Sequence, residues 1–136
     1  MMKLDLLQLP QLCEQIVSLL PNGGVIVLQG DLASGKTTFT QSFAAYLGLD
    51  DAVTSPTFSL QQVYGDKFYH YDLYNYGFEA FLSLGMMEEL EVPGYHLIEW
   101  GDETLIEWLK RAGMDTVIVK ITKGDEKSRY YEVQRA

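Results

Sequence analysis

A chain of 136 residues, 47% hydrophobic and 12% aromatic, suits one domain spanning 1–136 with a proper core and leaves little room for a second. Its net charge of −9 and its three arginines, Arg111, Arg129 and Arg135, exclude a protein that grips nucleic acid alone, because phosphate neutralisation needs clustered Lys and Arg. No apolar run approaches the roughly 20 residues that span a bilayer, the N-terminal residues make a poor signal peptide, and the single cysteine, Cys13, has no internal partner, so a reducing, cytoplasmic location is expected.

Pro10 suits the first turn of a helix running to about 20, with Leu12, Ile16, Leu19 and Leu20 on its buried side and Pro21-Asn22-Gly23-Gly24 as its stop. Val25-Ile26-Val27-Leu28 reads as a strand buried on both faces. A helix to about 47 follows the glycine-bearing segment 30–37, carrying Phe39, Phe43, Tyr46 and Leu47 at helical spacing, with Gly48 as a left-handed cap. Segments 59–64 and 67–74 flank Gly65-Asp66, a two-residue hairpin signal. Within the second of these, period-two geometry puts His70 and Asp72 on one face. A short helix over 78–84 is expected next, and the acidic stretch 88–91 extends a second one or presents a solvated face. Tyr95–Glu99 reads as an apolar strand ending in a carboxylate, Glu103–Arg111 as a helix closed by Gly113, and 116–122 with 129–134 as a final hairpin. Strands alternating with helices, plus two hairpins, predict an α/β domain with a mixed sheet flanked by helices.

Gly30-Asp31-Leu32-Ala33-Ser34-Gly35-Lys36-Thr37 fits the P-loop pattern G-x-x-x-x-G-K-[ST] in full, with a strand before it and a helix after it. Backbone N–H groups of such a loop and the positive helix terminus hold phosphate oxygens. Lys36 adds a cation at the β- and γ-phosphates, and Thr37 offers its hydroxyl to Mg²⁺. The chemistry also needs a carboxylate on the metal side, and two candidates exist. Glu99 closes a strand at the end where α/β sheets place ligands, and Asp72 lies near the end of a hairpin strand. A carboxylate in an apolar run is costly unless it meets a cation. Ser55-Pro56-Thr57 lies in the loop after the P-loop helix, where a mobile segment can bring a hydroxyl to the γ-phosphate. His70 and His96 read as ordinary strand residues, and Trp100 as packing either beside the nucleotide or in the core.

These blocks together, with Thr38 after Thr37, then Ser55-Pro56-Thr57, His70-Tyr71-Asp72-Leu73-Tyr74 and Ile98-Glu99-Trp100, resemble the TsaE (YjeE) family of small bacterial P-loop ATPases. The resemblance covers about 24 to 100, and the combination of four blocks in that order is specific. It implies that residues 30–38 bind ATP and that Lys36 and Thr37 take phosphate and Mg²⁺. It further implies that Thr57 senses the γ-phosphate, that Asp72 and Glu99 complete the metal and water shell, and that Trp100 shapes the site. The implied role is ATP turnover in support of tRNA threonylcarbamoyladenosine modification. The implied partners are a catalytic threonylcarbamoyltransferase subunit and its non-catalytic paralogue, with tRNA reached only through that complex. Two departures stand out: Ala33-Ser34 replaces the frequent Gly-Ala, and Asn75 replaces the usual arginine.

A stand-alone small-molecule kinase normally supplies arginines to the transferred phosphoryl group, and none occurs here before Arg111. A GTPase would carry an Asn-Lys-x-Asp segment, which neither Asn22 nor Asn75 begins. A nucleotide-gated binding module with negligible turnover of its own stays compatible with the same residues.

Overall fold

The computed structural model describes residues 2–30, 35–49, 60–65, 67–74 and 77–136. Asp31, Leu32, Ala33 and Ser34 of the P-loop, the Ser55-Pro56-Thr57 segment and Asn75 lie outside the described residues. In chain order the elements are β1 (Met2–Asp5), a 3-10 turn (Leu6–Gln8), α1 (Leu9–Leu19), β2 (Gly24–Gln29), α2 (Lys36–Tyr46), β3 (Gln61–Tyr64), β4 (Phe68–Asp72), α3 (Gly77–Ser83), α4 (Met86–Glu89), β5 (Tyr95–Glu99), α5 (Glu103–Arg111), β6 (Thr116–Lys123) and β7 (Ser128–Arg135).

The strands form one mixed sheet in the order β1-β7-β6-β2-β5-β4-β3. The central pairs β6–β2, β2–β5 and β5–β4 are parallel, and the outer pairs are antiparallel. β2 sits in the middle because Val25, Ile26, Val27 and Leu28 are all buried and so need cover on both faces. On one face Leu12, Ile16, Phe39 and Phe43 of α1 and α2 pack over Ile26, Leu28 and Leu97. On the other, Phe81, Leu105 and Leu109 of α3 and α5 pack over Val27, Tyr71 and Ile98. Cys13 lies in the first core, where burial pushes its thiol up to about 12 and leaves it unreactive.

Most local signals act as expected. Pro10 stands in the first turn of α1. Asp102 caps α5 through the Leu105 N–H at 2.9 Å, and Lys110 and Arg111 face the negative end of that helix. Gly48 takes the left-handed conformation after α2, at φ 82°. One strand is not foreseen and two expectations need correction. β1 escapes the sequence because its four residues bury only Leu4 and its partner β7 comes at the far end of the chain. The β3–β4 hairpin closes at Tyr64 opposite Phe68, so three residues separate the strands instead of two. The helix expected around 88–91 is Met86–Glu89, begun by left-handed Gly85 and stopped before the acidic run ends. Among the described residues no helix is long and apolar enough to cross a membrane.

Candidate functional site

Three parallel neighbours, β2, β5 and β4, end at the same level. Leu28 faces Glu99 across the β2–β5 pair, and Asp72 faces Glu99 across the β4–β5 pair. β2 runs through Gln29 into Gly30, the start of the P-loop, and α2 opens at Lys36 behind Gly35. Gly35 has φ 103°, a left-handed backbone that a side chain would strain, and its carbonyl accepts the Phe39 N–H at 2.9 Å to start the helix. Strand alternation puts Glu99 on the face of Leu97, and Asp72 and His70 on the face of Phe68; this is the face covered by α1 and α2. The sheet therefore brings Lys36, Asp72 and Glu99 together at its carboxyl end, where open α/β sheets bind ligands.

Lys36 is only 4% exposed. Its Nζ donates to the Gly30 carbonyl at 2.7 Å and lies 3.9 Å from the centre of the Trp100 ring. Both contacts lower the cost of burying an ammonium. Trp100 is itself fixed in place. It is the one non-glycine residue with positive φ, at 66°, among the described residues. Gly101 follows it with its α-carbon so close to Val27 that an added Cβ would lie 2.6 Å from Cγ1. The Gln29 amide donates to the Gly101 carbonyl at 3.1 Å, and the Tyr74 ring packs 4.9 Å from the indole. This strained turn sets the indole over the lysine.

The two carboxylates differ. Glu99 is 3% exposed and accepts a hydrogen bond from His70 Nε2. Asp72 is half-buried and accepts the Tyr74 N–H at 2.9 Å. Its carboxyl is held above the usual range chiefly by burial, opposed by the Tyr74 N–H, raised further by Glu99 and lowered by His70 and Lys36. An arriving cation would reverse that balance. Thr37 is half-buried in the first turn of α2 and Thr38 is exposed. One hydroxyl and one or two carboxylates suit Mg²⁺, a hard cation that keeps waters and takes substrate phosphates as its other ligands. Among the described residues no group of three or more His, Cys, Asp or Glu offers an all-protein cage.

Beside the P-loop, a cleft of about 150 Å³ lies between the β1–α1 junction and the β6–β7 hairpin, lined by Leu6, Leu9, Gly35, Thr38, Arg129 and Tyr131 among others. Arg129 reaches the loop itself, with its Nε 3.7 Å from where a Gly35 Cβ would stand. Sequence reasoning missed this contact, because the β6–β7 hairpin returns a late arginine to an early glycine. The lack of arginine before Arg111 is therefore weaker grounds against a kinase than it reads on paper.

The family model described as threonylcarbamoyl adenosine biosynthesis protein TsaE matches residues 5–131. The chain belongs to the TsaE family. Relatives bearing the name tRNA threonylcarbamoyladenosine biosynthesis protein TsaE include that of Treponema pallidum, 42% identical over 65% of this chain and 68% of its own. That of Bacillus subtilis is 40% identical over 68% of this chain and 65% of its own. That of Aquifex aeolicus is 33% identical over 92% and 87%. The crystal structure of Bacillus subtilis YdiB is similar with a TM-score of 0.62 and 30% identity, covering 93% of this chain and 81% of that one. TsaE membership makes this a P-loop nucleotide-binding protein, in agreement with the mixed α/β sheet. His70 was read from sequence as an ordinary strand residue. In this TsaE-family fold it is fully buried against Glu99. The H-x-D spacing held the signal, since it sets His70 on the face of Asp72.

Proposed function

We propose that this TsaE-family chain binds ATP with Mg²⁺ and hydrolyses it in support of tRNA threonylcarbamoyladenosine modification. The observation that carries this reading is the meeting of Lys36, Asp72 and Glu99 where the P-loop leaves β2. Residues 30–38 cradle the phosphates. Lys36 leaves the Gly30 carbonyl to neutralise charge at the β- and γ-oxygens. Mg²⁺, when bound, spreads the charge that develops on the transferred group. Thr37, Asp72 and Glu99 would hold it and the attacking water, and Trp100 would close one wall. Thr57 is assigned the sensing of the γ-phosphate. The acidic chain works as a docked subunit, with the catalytic threonylcarbamoyltransferase subunit and its paralogue as partners and tRNA contacted only through them.

The deciding experiment is an ATPase assay on the purified chain, with and without those two partner proteins, against ATP and GTP. We expect weak Mg²⁺-dependent ATP turnover alone and at least tenfold stimulation by the partners, as activating proteins give other P-loop enzymes. No stimulation and no co-elution would favour a stand-alone kinase or ATPase.

The cleft beside Gly35 is proposed to receive the nucleoside end of the ligand, with Arg129 along one wall. Arg129→Ala is then expected to weaken ATP by about tenfold, the worth of a partly desolvated cation–π contact, and to leave inorganic tripolyphosphate affinity unchanged. Calorimetric titration with both ligands checks this. An equal loss for the two would move Arg129 onto the phosphates.

A further inference from the structure

We infer that His70 is a positioning residue for Glu99, holding that carboxylate apart from Asp72 and aimed at the site where water is activated. The inference rests on the ATPase reading above. It starts from the β4–β5 register. Asp72 and Glu99 stand directly opposite one another in the parallel ladder, a placement that sets two like charges side by side and is unfavourable if both lean together. His70 lies two residues before Asp72 on the same face, opposite Leu97. Its Nε2–H reaches diagonally forward to Glu99 Oε2. Asp72 takes a different donor, the Tyr74 N–H. Each carboxylate is thus tied to its own group, and neither shares the other's.

The second observation is an internal comparison. His96 is equally buried, but it satisfies both ring nitrogens. Nε2–H donates to the Val92 carbonyl at 2.7 Å, and Nδ1 accepts the Tyr71 O–H at 2.8 Å. That is how a histidine serves a core. His70 instead is fully buried and leaves Nδ1 with no hydrogen-bond partner among the described residues. A bare acceptor nitrogen is tolerated better there than an orphaned N–H, so the arrangement favours the tautomer with its proton on Nε2, on the Glu99 side. The ring keeps its one bond for the carboxylate and is steadied by Tyr64, whose ring centre lies 6.3 Å away. Losing this bond frees Glu99 to swing, while the P-loop contacts to phosphate stay intact.

His70→Leu, His70→Gln and Glu99→Ala, singly and with His70→Leu combined with Glu99→Ala, test the idea in the full chain with its partner proteins present. His70→Leu is expected to lower kcat by roughly 100-fold, the cost of a small misplacement at the reacting atoms, with ATP affinity unchanged. His70→Gln, which keeps a donor near the Nε2 position, recovers most of the rate. In the Glu99→Ala background, His70→Leu has no further effect on turnover, because its action runs through Glu99. Long-range ¹H–¹⁵N spectra of the wild-type chain show a protonated Nε2 and a bare Nδ1 on His70. Wild-type kcat in His70→Leu, additive losses in the double variant, or a proton on Nδ1 alone each overturn the assignment and leave the ATPase reading standing. A wild-type chain with no turnover, even with its partners, overturns both.

Discussion

Lys36→Ala is expected to abolish detectable triphosphate binding while leaving the fold in place. The lysine's contacts to the Gly30 carbonyl and the Trp100 ring lie at the edge of the site. Alanine is also the best helix former at that position, and Gly35 keeps the turn that starts α2. What disappears is the only cation of the P-loop motif. Truncating one partner of a buried, hydrogen-bonded charge pair costs about 2–5 kcal/mol, which is roughly 30-fold to several thousandfold in affinity. Calorimetric titration with Mg-ATP measures it, and a thermal melt on the same sample controls for folding. Near-normal affinity in a folded variant would sink the phosphate-binding assignment itself.

Glu99→Ala should give the opposite pattern, a fall in turnover of about 100- to 10,000-fold, the range lost with a general acid or base, and ATP affinity within a few-fold of the parent. The carboxylate sits at the end of β5, beside the P-loop strand but not in the loop, so phosphate keeps its amides and its lysine. Glu99→Gln keeps the shape and the acceptor for His70 while removing the charge. It should fall almost as far if Glu99 polarises water, and little if Glu99 only fills space. Single-turnover ATPase measurements with the partners present separate chemistry from release. Unchanged turnover in both variants would transfer the role to Asp72, whose side chain lies one strand over at the same level.

The phosphate loop was legible because everything it needs is local: an apolar strand, glycines, a lysine and a helix in unbroken sequence. Period-two alternation was enough to set His70 and Asp72 on one face, and their strand does place Phe68 in the α1–α2 core and Tyr71 in the other. What alternation cannot state is which strand lies alongside. The engagement of His70 with Glu99 depends on the parallel register of β4 and β5, and the approach of Arg129 to Gly35 depends on β7 folding back past β1. Both are products of pairings between distant segments. The role expected for Thr57 lies outside the described residues and stays a proposal.

The position of β2 carries a consequence for how the protein is made. Its neighbours on both sides, β5 and β6, follow it by half the chain or more. Pairings of that kind pay their loop-closure entropy before any contact repays it, and they form slowly. During synthesis the phosphate loop therefore leaves the ribosome long before its strand has anything to pair with. The segment holds every residue of the motif and yet has no sheet to hang from. Nucleotide retention is therefore expected only once β5 and β6 have docked on β2, so retention by a nascent or truncated chain would report that the central sheet has assembled, not that the motif has been translated.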